Sequence, residues 1–342
     1  MVTIIGGGIA GTVLAGALAQ SHVPVTVYER QPAPGTGAFM VLDGHAHQSL
    51  AELGVSIDAL HRHSHPIPGF RFHYLPEGRN ATRSQGHRLY RRTDLLAALT
   101  EFASATNADI RYDNAITDID PTTGTLHTLT TEISDELLIA ADGVDSLARQ
   151  HLEPHRPAEY AGQIVIYGTT PRPTGLDTEP DVMHFHGQLG DGPMPTSTFG
   201  YMHTRDAVFW FTRLTRDAIL QDDIGFHPTT EWASTILDAD PTIPNLIETI
   251  LDGTDTIHIS NARSVSLTAA RTPQPPLILC GDADHAITPA AARGAREAIE
   301  DALALHQAIT TGQSPADAMA ERRTQITEER NRQTRIISRV TA

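Results

Sequence analysis

Near its start the chain runs from Val2-Thr3-Ile4-Ile5 straight into Gly6-Gly7-Gly8-Ile9-Ala10-Gly11. A short aliphatic strand, G-x-G-x-x-G and then a helix leave few folds open. Val13, Leu14, Ala17 and Leu18 recur on one helical face directly after the glycines. In such a unit Gly6 permits the tight turn and Gly8 lets the backbone approach a pyrophosphate. Gly11 lets the helix pack on the strand, and the helix N-terminus turns its amides and dipole toward the phosphates. A second strand, Val25–Tyr28, ends at Glu29-Arg30, close to the spacing of about 20 residues at which a carboxylate receives ribose hydroxyls. The reading is an α/β dinucleotide-binding unit. The fingerprint alone does not separate FAD from NAD, and a glycine turn also occurs in ordinary α/β domains.

A second feature, far along the chain, favours FAD. Leu277-Ile278-Leu279-Cys280 is an aliphatic run that stops at Gly281-Asp282. NAD leaves such a strand-end aspartate without an obvious task, whereas a ribityl hydroxyl of FAD can donate to Asp282. Pro289, the small residues to Ala292, then Arg293 and Gly294 lead into a helix through Ala298, Ala302 and Leu305. Free amides at that helix start would face the flavin pyrimidine ring. They would stabilise reduced flavin by about 0.3–1 kcal/mol, or about 2 if partly buried.

Between these lies Ala141-Asp142-Gly143-Val144-Asp145-Ser146-Leu147-Ala148-Arg149, which follows the buried strand Leu137–Ala141. Asp142 reads either as a strand-end carboxylate or as a turn aspartate capping a helix that starts near Ser146. In this order and spacing the three motifs resemble the single-component (class A) FAD-dependent monooxygenases and aromatic hydroxylases, over most of the chain. Arg92-Thr93-Asp94-Leu95 with Leu99 is similar to that family's helix start, whose arginine lies near the FAD phosphates. The arginine-rich stretch from Glu321 to Arg339 looks like its closing helix.

The resemblance implies FAD as cofactor, NADH or NADPH as a cosubstrate without a domain of its own, and O2. Reduced flavin would give a C4a-hydroperoxide that hydroxylates or epoxidises a small, electron-rich, aromatic or polyketide-like substrate. It also implies that Asp142 and Arg149 organise the face visited by the nicotinamide nucleotide. The chain departs from the family where Asp284 replaces an alanine and where Ala292 stands at a common glycine. Arg293 and Arg296 replace uncharged residues, and His45 stands where the loop Gly35–Leu42 usually leads into an asparagine. Arg293 is expected to approach the flavin and raise its potential; the alternative is that both arginines face solvent or pair with Glu297 and Glu300.

The expected fold is α/β: a Rossmann-like FAD-binding domain, an interleaved mainly β-sheet substrate domain and a C-terminal helix. Residues 1–65, 91–160 and 262–342 form the first, including that helix, and 66–90 with 161–261 the second. Alternating stretches such as Phe70–Tyr74, Gln163–Tyr167, Val182–His186 and Val208–Leu214 are its strands, punctuated by Thr169–Gly175 and Gly190–Thr196.

Composition narrows the function further. A formal net charge of −16 repels nucleic acid and anionic lipid, so neither is an expected partner. No apolar run nears the ~18 residues of a membrane span, and no cleavage-site pattern precedes Val2, so a cytoplasmic location is expected. One cysteine excludes intrachain disulfides, and the lack of lysine excludes Schiff-base chemistry. Without a lysine or a Trp-x-Trp-x-Ile-Pro motif, a flavin halogenase is disfavoured. The alternating His61, His63 and His65, and His184 with His186, supply too few ligands for a metal, and none is expected. His186, Tyr201 and His203, in the roofing sheet, are the candidates to polarise a phenol or enol. An FAD dehydrogenase or reductase without oxygen insertion, and a non-catalytic dinucleotide-binding sensor, remain as alternatives.

Overall fold

The structure is a computed structural model and describes residues 1–33, 37–75, 80–171, 176–189, 195–289 and 292–341. Parts of the Gly35–Leu42 loop and of the links Thr169–Gly175 and Gly190–Thr196, and also Ala290 and Ala291, lie outside the described residues.

Among the described residues the aliphatic runs form a five-stranded parallel sheet. Its order is Leu277–Leu279, Leu137–Ala140, Val2–Ile5, Val25–Tyr28 and Asp109–Arg111. Ile5 is level with both Ala140 and Tyr28, and Ala140 with Leu279. The carboxyl ends are therefore aligned, and Asp282, Asp142, Gly6 and Glu29 follow them in a row. With neighbouring strands about 4.8 Å apart, the four strands carrying this row span about 14 Å. On one face the helices Ile9–Gln20, Arg92–Ala105 and Gly294–Thr311 bury Val13, Leu14, Leu18, Leu95, Leu99, Ile299 and Leu305. Its other face packs Ile5, Leu138 and Leu279 against Ile119 and Leu126 of a small antiparallel sheet.

The second layer is an eight-stranded sheet built around Glu159–Pro171, Ala207–Thr215, Pro195–His203 and Met183–Leu189. One face is closed by the helices Thr229–Leu237 and Pro244–Leu251 over Ile164, Ile166, Phe199, Trp210 and Ile259. The opposite face carries Met183, Met202 and Phe209. These pack on Ile67 and Leu89 beside a three-stranded sheet of Phe39–Leu42, Arg88–Arg91 and Ser64–Pro66. That small sheet joins the layers, because Arg91 runs directly into the helix that begins at Arg92. The architecture is the expected α/β fold with an interleaved β-sheet layer, closed by the helix Pro315–Thr341. The alternating histidines do not share one strand: His61 lies on the helix Ile57–Arg62 and His65 on the strand Ser64–Pro66.

Candidate functional site

The three glycines of the first turn differ in what confines them. Gly6 has φ +102°, and a Cβ there would lie 2.4 Å from the Ala141 carbonyl oxygen. At Gly11 it would lie 2.0 Å from the Gly6 carbonyl oxygen. Both positions are glycine because protein backbone approaches them. Gly8 has φ −76°, which any residue adopts, and a Cβ there would meet no protein atom within 4 Å. Its side faces open space at the start of the helix, where backbone amides lack intrahelical partners. Glu29 receives the Gly7 amide at 2.6 Å and the Gln31 amide at 2.7 Å, which brings its carboxylate over the turn; Arg30 beside it is exposed.

Asp142 takes both parts that the sequence left open. It follows the strand, and its Oδ2 accepts the Ala148 amide at 3.3 Å in the helix capped by Ser146. Its Oδ1 is buried without a partner among the described residues. Burial pushes this carboxyl above its ordinary range, against hydrogen bonds from Ser146 and Ala148. Asp282 is exposed, yet protein surrounds it closely enough to raise its carboxyl, with His285 and Arg92 opposing. The Gly294 Cβ position is 3.5 Å from Asp282 Oδ1, so the aspartate sits at the N-terminus of the helix Gly294–Thr311. Gly281, at φ +61°, nests against Ala298 of that helix and Ala10 of the first helix, which joins the two glycine motifs. The Ala292 amide donates to the Pro289 carbonyl, and Ala292 holds φ +51°, a left-handed conformation suited to the glycine it replaces.

Arg149 does not present itself to a visiting nucleotide. It is 1% exposed and donates to the carbonyls of Val144 (2.6 Å), Ala283 (2.7 Å) and Arg156 (2.9 Å). It bolts the Asp142 motif to the Asp282 motif.

Three of the departures from the family pattern share one structural reason. Asp284 is fully buried and accepts from Arg156 Nη2 (3.0 Å) and from Arg323 Nε (2.8 Å) and Nη2 (2.6 Å). Arg296 pairs with Asp43 (3.0 Å), Glu300 (2.8 Å) and Glu329 (2.7 Å). Arg293, 5% exposed, lies 3.7 Å from Glu297 and also pairs with Glu329. The pairing with Glu297 and Glu300 is thus present, although neither arginine is in free solvent. His285 completes the network, 2.6 Å from Asp301 and 3.8 Å from Glu297. Burial opposes its charge, but Asp301, Asp284 and Glu297 hold its pKa up at about 9. Arg322 binds Glu300 and Asp301, and Arg330 binds Glu297. The last helix is fastened to the loop after Asp282 by charge.

Strand alternation separates the candidates in the large sheet. His186 faces Phe199 across the strands, His184 faces Tyr201, and Tyr201 faces Trp210. All lie on the side covered by the helices Thr229–Leu237 and Pro244–Leu251. There burial lowers His184 and His186 to about 4. His203, of the same parity, bonds the Thr178 carbonyl at 2.7 Å. The opposite parity carries Thr198, Gly200, Phe211, Arg213 and Tyr167. Tyr167 is raised by burial to about 12, while the charge of Arg92 opposes. The charge of the half-buried Arg92 thus acts on both Asp282 and Tyr167. Tyr167, Phe211 and Arg213 were not singled out from sequence. The signal was an arginine of the same parity as Phe209 and Phe211 inside an otherwise apolar strand.

Among the described residues no group of three or more His, Cys, Asp or Glu could hold a metal ion. No helix there is long and apolar enough to cross a membrane.

A parallel sheet with the Gly6–Gly11 turn, Asp142 and Asp282 at its strand ends, together with an interleaved eight-stranded sheet, is a Rossmann-like α/β fold. A family model described as FAD binding domain matches residues 1–314, and the chain belongs to this family, that of the single-component FAD-dependent monooxygenases and aromatic hydroxylases. It is 25% identical to a kynurenine 3-monooxygenase of Salinispora arenicola over 93% of this chain and 74% of that protein. The structure resembles 2-methyl-3-hydroxypyridine-5-carboxylic acid oxygenase, with TM-score 0.75 and 21% identity, over 96% of this chain and 87% of that one. It also resembles CtdE in complex with FAD and a substrate, with TM-score 0.76 and 18% identity, covering 99% and 86%. The protein is an FAD-dependent monooxygenase acting on small organic substrates.

Proposed function

We propose that the protein uses NADH or NADPH and O2 to hydroxylate or epoxidise a small, electron-rich, aromatic or polyketide-like molecule. The observation that carries the reading is the row along the sheet edge. Gly8 is open on its ligand side, Asp142 Oδ1 is buried without a partner, and Asp282 is enclosed but accessible. These features fit an extended FAD. The turn Gly6–Gly11 would cradle its pyrophosphate, Glu29 with Arg30 its adenosine ribose, and Arg92 and Asp142 its central phosphates and sugar chain. Asp282 would take a ribityl hydroxyl, and Pro289, Ala292, Arg293 and Gly294 would border the flavin ring with backbone amides.

Bound FAD would supply the redox chemistry, accepting hydride and then activating O2. The chain's own task is to orient the substrate and exclude water beneath the large sheet. Residues 1–65, 91–160 and 262–342 would form the FAD-binding domain, and 66–90 with 161–261 the substrate domain. The kynurenine and hydroxynicotinate monooxygenases among the relatives support a substrate of one small ring.

Gly8→Val tests the cofactor site. The substitution meets open space, so the protein should fold with an unchanged melting temperature yet fail to take up FAD. Gly11→Ala should instead destabilise the apo-protein. An FAD stoichiometry near one in Gly8→Val would sink the cradle. Label from isotopic O2 in the product would distinguish a monooxygenase from a dehydrogenase.

A further inference from the structure

Arg293 and Arg296, at the start of the helix Gly294–Thr311, share one carboxylate. Glu329 Oε1 accepts from Arg296 Nη2 at 2.7 Å, and its Oε2 pairs with Arg293 Nη2. Glu329 stands on the last helix, so this pairing is made only when that helix docks. Burial pushes its carboxyl up, yet the two arginines hold it below its ordinary range.

The two arginines depend on Glu329 unequally. Arg296 also has Asp43 at 3.0 Å and Glu300 at 2.8 Å. Among the described residues Arg293 has one other carboxylate, Glu297, at 3.7 Å. Glu297 is already engaged: Arg330 Nη2 binds it at 2.5 Å, and His285 Nδ1 lies 3.8 Å away. The three guanidinium nitrogens of Arg293 are buried, and none makes a directed hydrogen bond among the described residues. Charge alone holds the group. At 5% exposure the arginine is poorly screened by water, whereas the Glu329 side chain is 33% exposed. Loss of the Glu329 charge would therefore leave a buried cation with a partner it must share.

The place of that cation gives the balance a consequence. Arg293 is the N-cap of its helix, and the Cβ position of the next residue, Gly294, lies 3.5 Å from Asp282 Oδ1. The free amides of this helix start already favour negative charge. Charges of the same network are felt at the strand end: His285 and Arg330 lower the Asp282 carboxyl, and Glu297 raises it, while burial raises it most.

We propose that Glu329 is a positioning residue for the cofactor: it turns the Arg293 guanidinium toward the last helix and neutralises it, and so sets the flavin's reduction potential from outside the cofactor site. This rests on the FAD reading above. Two-electron reduction places negative charge on the ring, and a cation released beside it would favour the reduced form. Glu329 keeps that cation silent.

The test measures the two-electron potential of FAD bound to the holoenzyme against a reference dye, with the melting temperature of each preparation. Glu329→Gln should shift the reduction equilibrium at least tenfold toward reduced flavin, a rise of about 30 mV. Glu329→Asp, shorter but still charged, should shift it less in the same direction. Adding Arg293→Gln to Glu329→Gln should return the equilibrium to within about twofold of the wild type. Adding Arg296→Gln instead should leave the rise in place. An unmoved or lowered potential in Glu329→Gln, or a rise that survives Arg293→Gln, would overturn the proposal. A lower melting temperature with an unmoved potential would reduce Glu329 to a fastening of the last helix. Where Glu329→Gln fails to fold or to hold FAD, Glu329→Asp decides, and no rise there overturns the proposal as well. FAD stoichiometry of the wild type reports on the underlying reading separately: a protein that takes up no FAD removes the cofactor site, whereas bound FAD at an unmoved potential removes only the role of Glu329.

Discussion

Replacing Asp284 by alanine leaves the guanidinium groups of Arg156 and Arg323 without the carboxylate they share. The two losses are unequal. Arg156 keeps Glu153, at 2.9 Å and 2.5 Å, and the Ser266 carbonyl at 2.8 Å. Arg323, with a side chain 12% exposed on the last helix, can turn toward water. Breaking a buried pair costs about 3–5 kcal/mol, and both escapes place this case near the lower end, about 3 kcal/mol. For 342 residues at about 2.1 cal/mol/K each, the unfolding entropy is about 0.7 kcal/mol/K, so the melting temperature should fall by about 4 °C. The assay is thermal and urea unfolding of the apo-protein in a double-mutant cycle with Arg323→Met. The double variant should cost less than the sum of the single ones, since the second change removes a charge already stranded. A loss below about 0.5 kcal/mol in Asp284→Ala, or strict additivity, would refute the reasoning.

His285 should make stability depend on alkali. Its folded pKa of about 9 stands above the usual 6.5, so its contribution is complete below pH 6.5 and disappears as pH rises through 9. The size is about 3 kcal/mol, and a plot of melting temperature against pH should flatten above neutrality in His285→Gln; parallel curves would contradict the charged pair. Arg293→Gln and Arg296→Gln should lower thermal stability while moving the flavin potential by less than about 10 mV, because carboxylates already neutralise both groups. A shift above about 30 mV in Arg293→Gln, equivalent to about 1.4 kcal/mol, would restore the guanidinium to the flavin.

The ends of the parallel strands were readable because their signals are local. A strand that ends in Gly6 or in Gly281-Asp282 reveals its turn and its exposed end within a few residues. The parity of the roofing sheet was not readable. Strands such as Ala207–Thr215 are buried on both faces, so alternation does not say which side meets the cofactor. His186 and Tyr201 were chosen for their chemistry and belong to the helix-covered side, while Arg213 has the other parity. Arg149 resembled a site residue in its motif, and only the fold brings the Ala283 carbonyl to it. Arg293 and Arg296 depended likewise on Glu329, which arrives with the last helix.

The interleaving of the two layers has a consequence during synthesis. Nascent chains emerge N-terminus first at about 5–20 residues per second. Val2–Ile5 leaves the ribosome early, but its neighbour Leu137–Ala140 follows much later, and Leu277–Leu279 later still. Most of the large sheet is made between them. That sheet can take shape on the ribosome while the glycine turn beside it waits for its partners. The proposed contacts for FAD would therefore be complete only after Asp282 has been made, so the cofactor would join a chain in which most of the large sheet has already been synthesised.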